Sequence, residues 1–357
     1  MRPSTNAIPT VDLDIWRADP KAVAAQVDTA LQRAGFLLVT GHGVDAALRA
    51  GVRAAARRFF ALPGEVKQRY AVRIGGRGWL APGVEANGLV EGTDTPPDLK
   101  ESFAVGPVTP TGNAAVDAVW FPPNVWPAEV PELRAIVFRY TSAMRRVADD
   151  LLELCATALG LPVATLTSLA TNPTWTFNIN RYPPLTEVGQ PAAGQYRIGP
   201  HTDFGTVTVL DREPGAGGLQ VFVTALQDSG QDHPDGPGVW QDAPYDPDAL
   251  TVNIGDLLAL RTPSLRSVDA SRTRCDTGSL ASLAHWTGLR WSSGRHRVLP
   301  PQAAHPDEEL MSLVFFYELD HDAVVTPLAP PVGRRGGLDP VVTAPFIRER
   351  LDAISVG

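Results

Sequence analysis

The sequence predicts a mainly β protein with a mixed α/β leading region, and three observations carry that prediction. Beyond Thr174 the apolar residues fall into short runs separated by glycine and proline, the pattern of an all-β sandwich or barrel. Ahead of Thr174, apolar residues recur at helical spacing in several longer segments. The 32 glycines and 33 prolines exceed the usual share, which favours many turns and short strands. With 44% hydrophobic residues over 357 positions, the chain can build a substantial core without disulfide staples.

Taken in order, Ile8 to Leu13 reads as a short strand. Asp19 to Ala34 reads as a helix, with an N-cap aspartate, proline at the first helical position and Gly35 as its stop. Phe36 to Thr40 is a buried strand, Gly41-His42-Gly43 a turn, and Asp45 to Phe60 a second amphipathic helix. Residues 74 to 98 are rich in Gly, Pro, Asn and Thr without a period, as in a surface loop of the kind that often covers a binding site. From Val130 to Leu161 apolar residues keep helical spacing through Phe138, Met144, Val147, Leu151 and Leu154, giving a long helix to buttress the strands that follow. Those strands are Thr174 to Asn180, Gly205 to Leu210, Gly218 to Val223, Leu250 to Ile254, Arg295 to Leu299 and Met311 to Leu319. Two polar stretches, 228–248 and 261–282, look inserted between them.

A net charge of −8 argues against nucleic acid or an anionic membrane as partner. The only cysteines are Cys155, in an apolar helical run, and Cys275, so neither a disulfide framework nor a thiolate metal cluster is available. The first residues lack an apolar signal-peptide core and no stretch reaches the length of a membrane span, so the expected location is cytoplasmic.

The chemistry points to His201-Thr-Asp203. On an extended strand alternate side chains share a face, so His201 and Asp203 would offer an imidazole nitrogen and a carboxylate oxygen to one metal ion. A second histidine from elsewhere would complete the two-His-one-carboxylate set that leaves positions open on iron(II). The same triplet recurs at His233-Pro-Asp235 and His305-Pro-Asp307, but there proline sits in the middle, among turn-forming residues. Candidates for the third ligand are His42, His285, His296 and His321, with His42 better suited to a structural role.

Five ordered motifs then carry a resemblance: Asn180-Arg-Tyr182-Pro-Pro, Arg197-x-Gly-x-His201-Thr-Asp203-Phe-Gly-Thr, Gly217-Gly-Leu-Gln-Val221, Val252-Asn-Ile-Gly-Asp256 and Gly294-Arg-His296-Arg-Val298. Upstream, Gly35 to Val44, Phe59-Phe-Ala-Leu-Pro and Asp98-Leu-Lys-Glu-Ser-Phe103 extend it over nearly the whole chain. The sequence resembles the isopenicillin N synthase-like iron(II), 2-oxoglutarate-dependent oxygenases. The resemblance implies a double-stranded β-helix, or jelly roll, with flanking helices. It divides the chain into an α/β region (1–110), buttressing helices (111–170), the jelly-roll core (171–335, carrying both insertions) and a C-terminal helix (336–357) in one compact unit. It implies His201, Asp203 and His296 as the Fe(II) ligands, with His285 the rival to His296. Because position 203 is a carboxylate, the site resembles a hydroxylase or oxidase more than a halogenase. The implied reaction uses O2 and 2-oxoglutarate to hydroxylate, desaturate or cyclise a small molecule, the protein holding geometry and excluding water. Asn180 and Tyr182 would meet the near carboxylate and keto group of 2-oxoglutarate. Gly255 and Asp256 suit a barrel turn, and Lys100 to Phe103 border either the substrate or only a strand edge.

The sequence departs from the family at one place. The strand after the distal histidine usually carries Arg-x-Ser for the far carboxylate of 2-oxoglutarate; here Ser312 is in place but Leu310 stands where the arginine belongs. Leucine cannot make the charge-assisted, two-pronged bond that a buried carboxylate needs. Three explanations stay open. Another basic residue substitutes, Arg197 having the right strand parity and Arg295 and Arg297 the wrong one; or the enzyme is an oxidase that uses iron and O2 without 2-oxoglutarate; or the chain is a catalytically silent jelly-roll binding protein.

Overall fold

The computed structural model describes residues 7–91, 95–224, 238–257 and 286–353. Among the described residues, twelve strands build the two main sheets: β1 (Thr10–Asp12), β2 (Phe36–Thr40), β3 (Trp79–Leu80), β4 (Glu101–Val105), β5 (Trp175–Tyr182), β6 (Ile198–His201), β7 (Val207–Asp211), β8 (Leu219–Thr224), β9 (Gly238–Asp242), β10 (Leu250–Ile254), β11 (His296–Val298) and β12 (Leu310–Tyr317). They form an eight-stranded sheet in the order β1-β2-β10-β7-β12-β5-β4-β3 and a four-stranded sheet in the order β6-β11-β8-β9. Every pairing in the two sheets is antiparallel except β1 with β2. Side chains of both sheets meet between them: Phe36 and Leu38 pack with Leu219, Val221 and Val223, and Tyr182 and Leu310 pack with Ile198. This is the jelly-roll sandwich, closed on the outer face of its large sheet by helices.

The helices follow from their caps and apolar stripes. Asp19 caps Pro20–Arg33 by accepting from the Lys21 N–H, and Asp45 caps Ala46–Phe60 by accepting from the Ala47 N–H. Gly35 turns the chain from the first of these into β2 at φ +67°, where a Cβ would lie 2.4 Å from the Ser292 carbonyl oxygen. The long helix Glu132–Ala158 buries Leu133, Val137, Tyr140, Met144, Val147 and Leu151 and packs against β7 and β12. It also meets Asp211, the last residue of β7. That carboxylate takes two bonds from Arg49 (2.7 and 2.9 Å), one from Arg53 (2.6 Å) and one from the Tyr140 hydroxyl (3.3 Å). A buried charge satisfied on every side fixes the helix layer to the end of one strand.

Four sequence expectations change. The leading strand is only Thr10–Asp12, because Asp12 caps a helix, Leu13–Ala18, with bonds from the Asp14 and Ile15 N–H groups. The loop 74–98 contains β3 and a 3₁₀ turn, Asn87–Glu91. The polar stretch 228–248 is not all loop: Gly238–Asp242 pairs with β8 along its whole length, the ladder supplying what the polar sequence did not advertise. Finally, β6 ends at His201, so Asp203 lies beyond the strand and its direction is not set by strand parity. The stretch 261–282, His233 and His285 lie outside the described residues.

Candidate active site

His296 stands directly opposite His201 in the antiparallel pairing of β11 with β6. Their rings lie 4.2 Å apart between centroids. Asp203 is brought back by the turn after β6: its carbonyl accepts from the Asp256 N–H at 2.8 Å, and its Oδ1 lies 3.6 Å from His201 Nε2. One ligand atom of each of the three residues falls within 4.8 Å of the others, the spread one metal ion can bridge. The other atoms of the set are already committed. His201 Nδ1 bonds to the Gly199 carbonyl and His296 Nδ1 to the Gly294 carbonyl, both at 2.8 Å, so each ring presents Nε2 inward. Asn253 donates to Asp203 Oδ2 at 2.7 Å, leaving Oδ1 for the centre. Phe36 stands edge-on to His296 and closes its outer side.

Electrostatics agree with a cation at the centre. Burial works against ionisation of Asp203, but the charge of His296, the hydrogen bond and charge of His201 and the Asn253 amide hold it below the usual carboxylate range. Burial, reinforced by the charge of His201, pushes His296 down to about 4, so it is neutral and able to ligate. For His201 burial opposes the charged form, and Asp203 outweighs it and raises the ring. Together the three residues make an open, facial N,N,O donor set that fits iron(II).

One cavity opens onto this set, and a second lies in the sandwich beyond it. The larger, about 1180 Å³ including its mouth, holds His201 and Asp203 in its wall with Arg77, Lys100, Asn178, Asn180 and Glu318. Lys100 is buried there, paired with Glu85. Arg77 Nε, Asn178 Oδ1 and Glu318 Oε2 are buried without a hydrogen-bond partner. Burial, then the Asp203 charge, pushes Glu318 up to about 8, and burial brings Arg77 down to about 10. The smaller cavity, about 430 Å³, lies between the sheets and is lined by Tyr182, Leu310, Ser312, Arg212, Val298 and Leu219 among others. Within it the Tyr182 hydroxyl and Ser312 Oγ are 3.0 Å apart.

Residues 8–129 match the family described as non-haem dioxygenase in morphine synthesis, N-terminal, and residues 175–319 match the 2OG-Fe(II) oxygenase superfamily. Validamycin A dioxygenase of Streptomyces hygroscopicus subsp. limoneus is 42% identical over 342 residues, 94% of this chain and 84% of that protein. This chain is a 2OG-Fe(II) oxygenase. A second relative of the oxygenase, the 2-oxoglutarate-dependent dioxygenase traH of Penicillium crustosum, is 30% identical and covers 82% of this chain and 79% of its own. Among solved structures, a 2OG-Fe(II) oxygenase family protein of Caulobacter crescentus superposes with a TM-score of 0.74 at 26% identity, covering 98% of this chain and 99% of that one. A full-length Neurospora crassa protein, solved in complex with alpha-KG and thymine, shares the fold at a TM-score of 0.72 and 21% identity, covering 97% and 96%. The oxygenase thus belongs with the non-haem iron oxidoreductases whose cosubstrate is 2-oxoglutarate.

The predicted site residues of the oxygenase fall into three places. His201, Asp203 and His296 meet at the centre. Asn180 accepts from Ser102 at 2.8 Å and lines the iron cavity, whereas Tyr182 joins Ser312 in the second cavity, at the end expected for the far carboxylate and not the near one. Arg197 is turned to other partners: it donates to the Gly217 carbonyl at 2.6 Å and lies 3.4 Å from Glu308. Arg295 pairs with Glu91 and Arg297 with Gln220, outside both cavities. His42 is a turn residue, accepting from the Val44 N–H and bonded to the Asp248 carbonyl. Asn253, Arg77, Asn178, Glu318 and Arg212, which the structure adds to these places, are not among the residues to which the motifs give a role. Glu318 carried a signal, since it shares strand parity with Ser312; so did Arg212, at the end of a run whose alternate residues face the sandwich interior.

Proposed function

We propose that the oxygenase oxidises a C–H bond of a polar small molecule, a specialised metabolite, held against the iron ligands in the larger cavity. The observation that supports this most is that three residues lining that cavity, Arg77, Asn178 and Glu318, each carry a buried polar atom without a hydrogen-bond partner. Buried polar groups are almost always hydrogen-bonded, so such a set favours a ligand that bonds to them over an apolar one. Arg77 has no carboxylate partner among the described residues; its guanidinium donates to Thr176 Oγ1 at 3.0 Å and keeps Nε in reserve. With its carboxyl raised, Glu318 is a donor as well as an acceptor near neutral pH.

His201, Asp203 and His296 would hold iron(II), which with 2-oxoglutarate supplies the activation of O2. The protein's own part is placement. The carbonyls of Gly199 and Gly294 and the Asn253 amide fix the donor atoms, and burial of all three ligands keeps bulk water from the reacting bond. Arg77, Asn178 and Glu318 would turn the substrate so that one C–H bond faces the open side of the metal.

The test is to supply iron(II), ascorbate, oxygen and 2-oxoglutarate and measure succinate together with the mass of the added compound. Validamycin A, named in the 42% identical relative, is the first compound to try, followed by polar congeners and by apolar compounds of similar size. Succinate formation coupled to gain of one oxygen or loss of two hydrogens in a polar compound is expected. Coupled turnover confined to apolar compounds would overturn the reading.

A further inference from the structure

The missing arginine at position 310 leaves a cavity with two hydroxyls, Tyr182 and Ser312, and no cation on the expected strand. A cation is present one strand away. In the pairing of β7 with β12, Asp211 lies opposite Leu313 and Leu210 opposite Val314, so continuing that register by one residue sets Arg212 opposite Ser312. Ser312 in turn faces Asn180 on β5, and Leu310 faces Tyr182. Arg212, Ser312 and Tyr182 therefore share one face of the large sheet, and all three line the same cavity.

The state of the Arg212 guanidinium points the same way. It donates to the carbonyls of Pro244 at 2.7 Å and Ala243 at 3.4 Å, both through Nη1, and lies 5.4 Å from the Tyr245 ring. Those contacts fix its direction while leaving the Nε and Nη2 edge without a hydrogen-bond partner among the described residues. No carboxylate there forms an ion pair with it. Glu213 also lines the cavity, but its two oxygens are taken by Arg57 at 2.5 Å and the Met311 N–H at 2.8 Å. Burial lowers the affinity of Arg212 for its proton, the mark of a desolvated cation lacking a counter-ion. Arg197, by contrast, is already paired with Glu308 and does not line the cavity. Val298, in the cavity wall, is two residues along β11 from the ligand His296, so one strand borders both the metal set and this cavity.

We propose that Arg212, reaching in from β7, anchors the far carboxylate of 2-oxoglutarate together with Ser312 and Tyr182, in place of the arginine that Leu310 has displaced from β12. The cosubstrate site has kept its charge by moving it one strand sideways. The inference rests on the chain's use of 2-oxoglutarate and is independent of the organic substrate.

The experiment is a calorimetric titration of iron(II)-loaded protein under nitrogen with 2-oxoglutarate and, separately, with 2-oxopentanoate, which has the same chain but no far carboxylate. The wild type should prefer 2-oxoglutarate, and Arg212→Gln should weaken its binding roughly 10- to 100-fold, the range for a charge-assisted pair lost from a buried site, while 2-oxopentanoate binds as before. Iron(II) affinity, measured in the same samples, should not change. The double variant Arg212→Leu with Leu310→Arg should recover the preference, and it, with Arg212→Lys, serves as the readout should Arg212→Gln not fold. Undiminished preference in Arg212→Gln, or its loss in Arg197→Gln instead, would overturn the assignment. A wild type that binds neither diacid nor monoacid would overturn it by removing the cosubstrate itself.

Discussion

At the residue scale, the iron site depends on atoms that do not touch the metal position. Asn253 holds Asp203 Oδ2 at 2.7 Å, so Asn253→Ala should free the carboxylate to rotate and weaken iron(II) binding about 10- to 100-fold, the usual cost of losing an outer-shell partner. His296→Ala should abolish stoichiometric iron(II) binding altogether, and equilibrium dialysis with metal analysis separates the two outcomes. Retained binding in His296→Ala would return the third ligand to His285. The larger cavity makes a different demand. Glu318→Gln and Arg77→Gln should each raise KM for an accepted substrate by about tenfold, one hydrogen bond to a charged or desolvated group, with the 2-oxoglutarate affinity unchanged. An unaltered KM in both variants would mean that substrate recognition lies elsewhere in the cavity.

At the scale of elements, two devices hold the site strands in place. Asp211 joins β7 to the helix Ala46–Phe60, and burial, which alone would raise its carboxyl, is outweighed by the hydrogen bonds and charges of Arg49 and Arg53, which lower it. A carboxylate whose folded pKa is depressed stabilises the protein above its unfolded value, about 4, and that contribution is lost as pH falls through the folded value. Asp211→Asn should therefore cost about 3–5 kcal/mol near neutral pH, by leaving two buried guanidinium groups uncompensated, and should flatten the acid limb of a denaturant-measured stability curve below about pH 4. An acid limb as steep as the wild type's would place the proton-linked group elsewhere. The second device is the turn after β10. A Cβ on Gly255 would come within 2.5 Å of the Gly205 carbonyl oxygen and 2.9 Å of that of Asp203, so Gly255→Ala should push the Asp203 turn outward and weaken iron(II) binding more than it lowers the melting temperature. The elements themselves were largely legible: short apolar runs bounded by glycine and proline turns placed six jelly-roll strands to within two residues, several of them, such as β10, buried on both faces. The ladder of β9, the sharp end of β6 and the neighbour of Leu310 were not legible, since each depends on which strand lies alongside, and sequence spacing does not carry that.

At the scale of the whole molecule, the large sheet runs without interruption from β1 and β2 of the leading region through the core strands to β3, so the two family segments share one frame. The chain then returns to its own active site at the far end. The helix Thr343–Ala353 places Ile347, Arg348 and Leu351 in the wall of the iron cavity, and Arg350 bonds to Asp256 at 3.1 Å, next to the Gly255 turn. Asp256 is buried and burial raises its carboxyl, with Arg350 the first of the groups that offset it. Removing residues 343–357 should then have two separable effects. The lost ion pair lowers stability by leaving a buried carboxylate short of its cation. The opened wall admits water without moving His201, Asp203 or His296, so iron(II) affinity should stay within a few-fold while turnover loses its coupling and succinate forms in excess of oxidised product. Arg350→Ala isolates the first effect: it should lower the melting temperature and leave the succinate-to-product ratio near that of the intact protein. A truncated protein that keeps this ratio would show that the cavity is sealed by other elements, and one that loses iron(II) would show that the helix supports the ligands through Asp256.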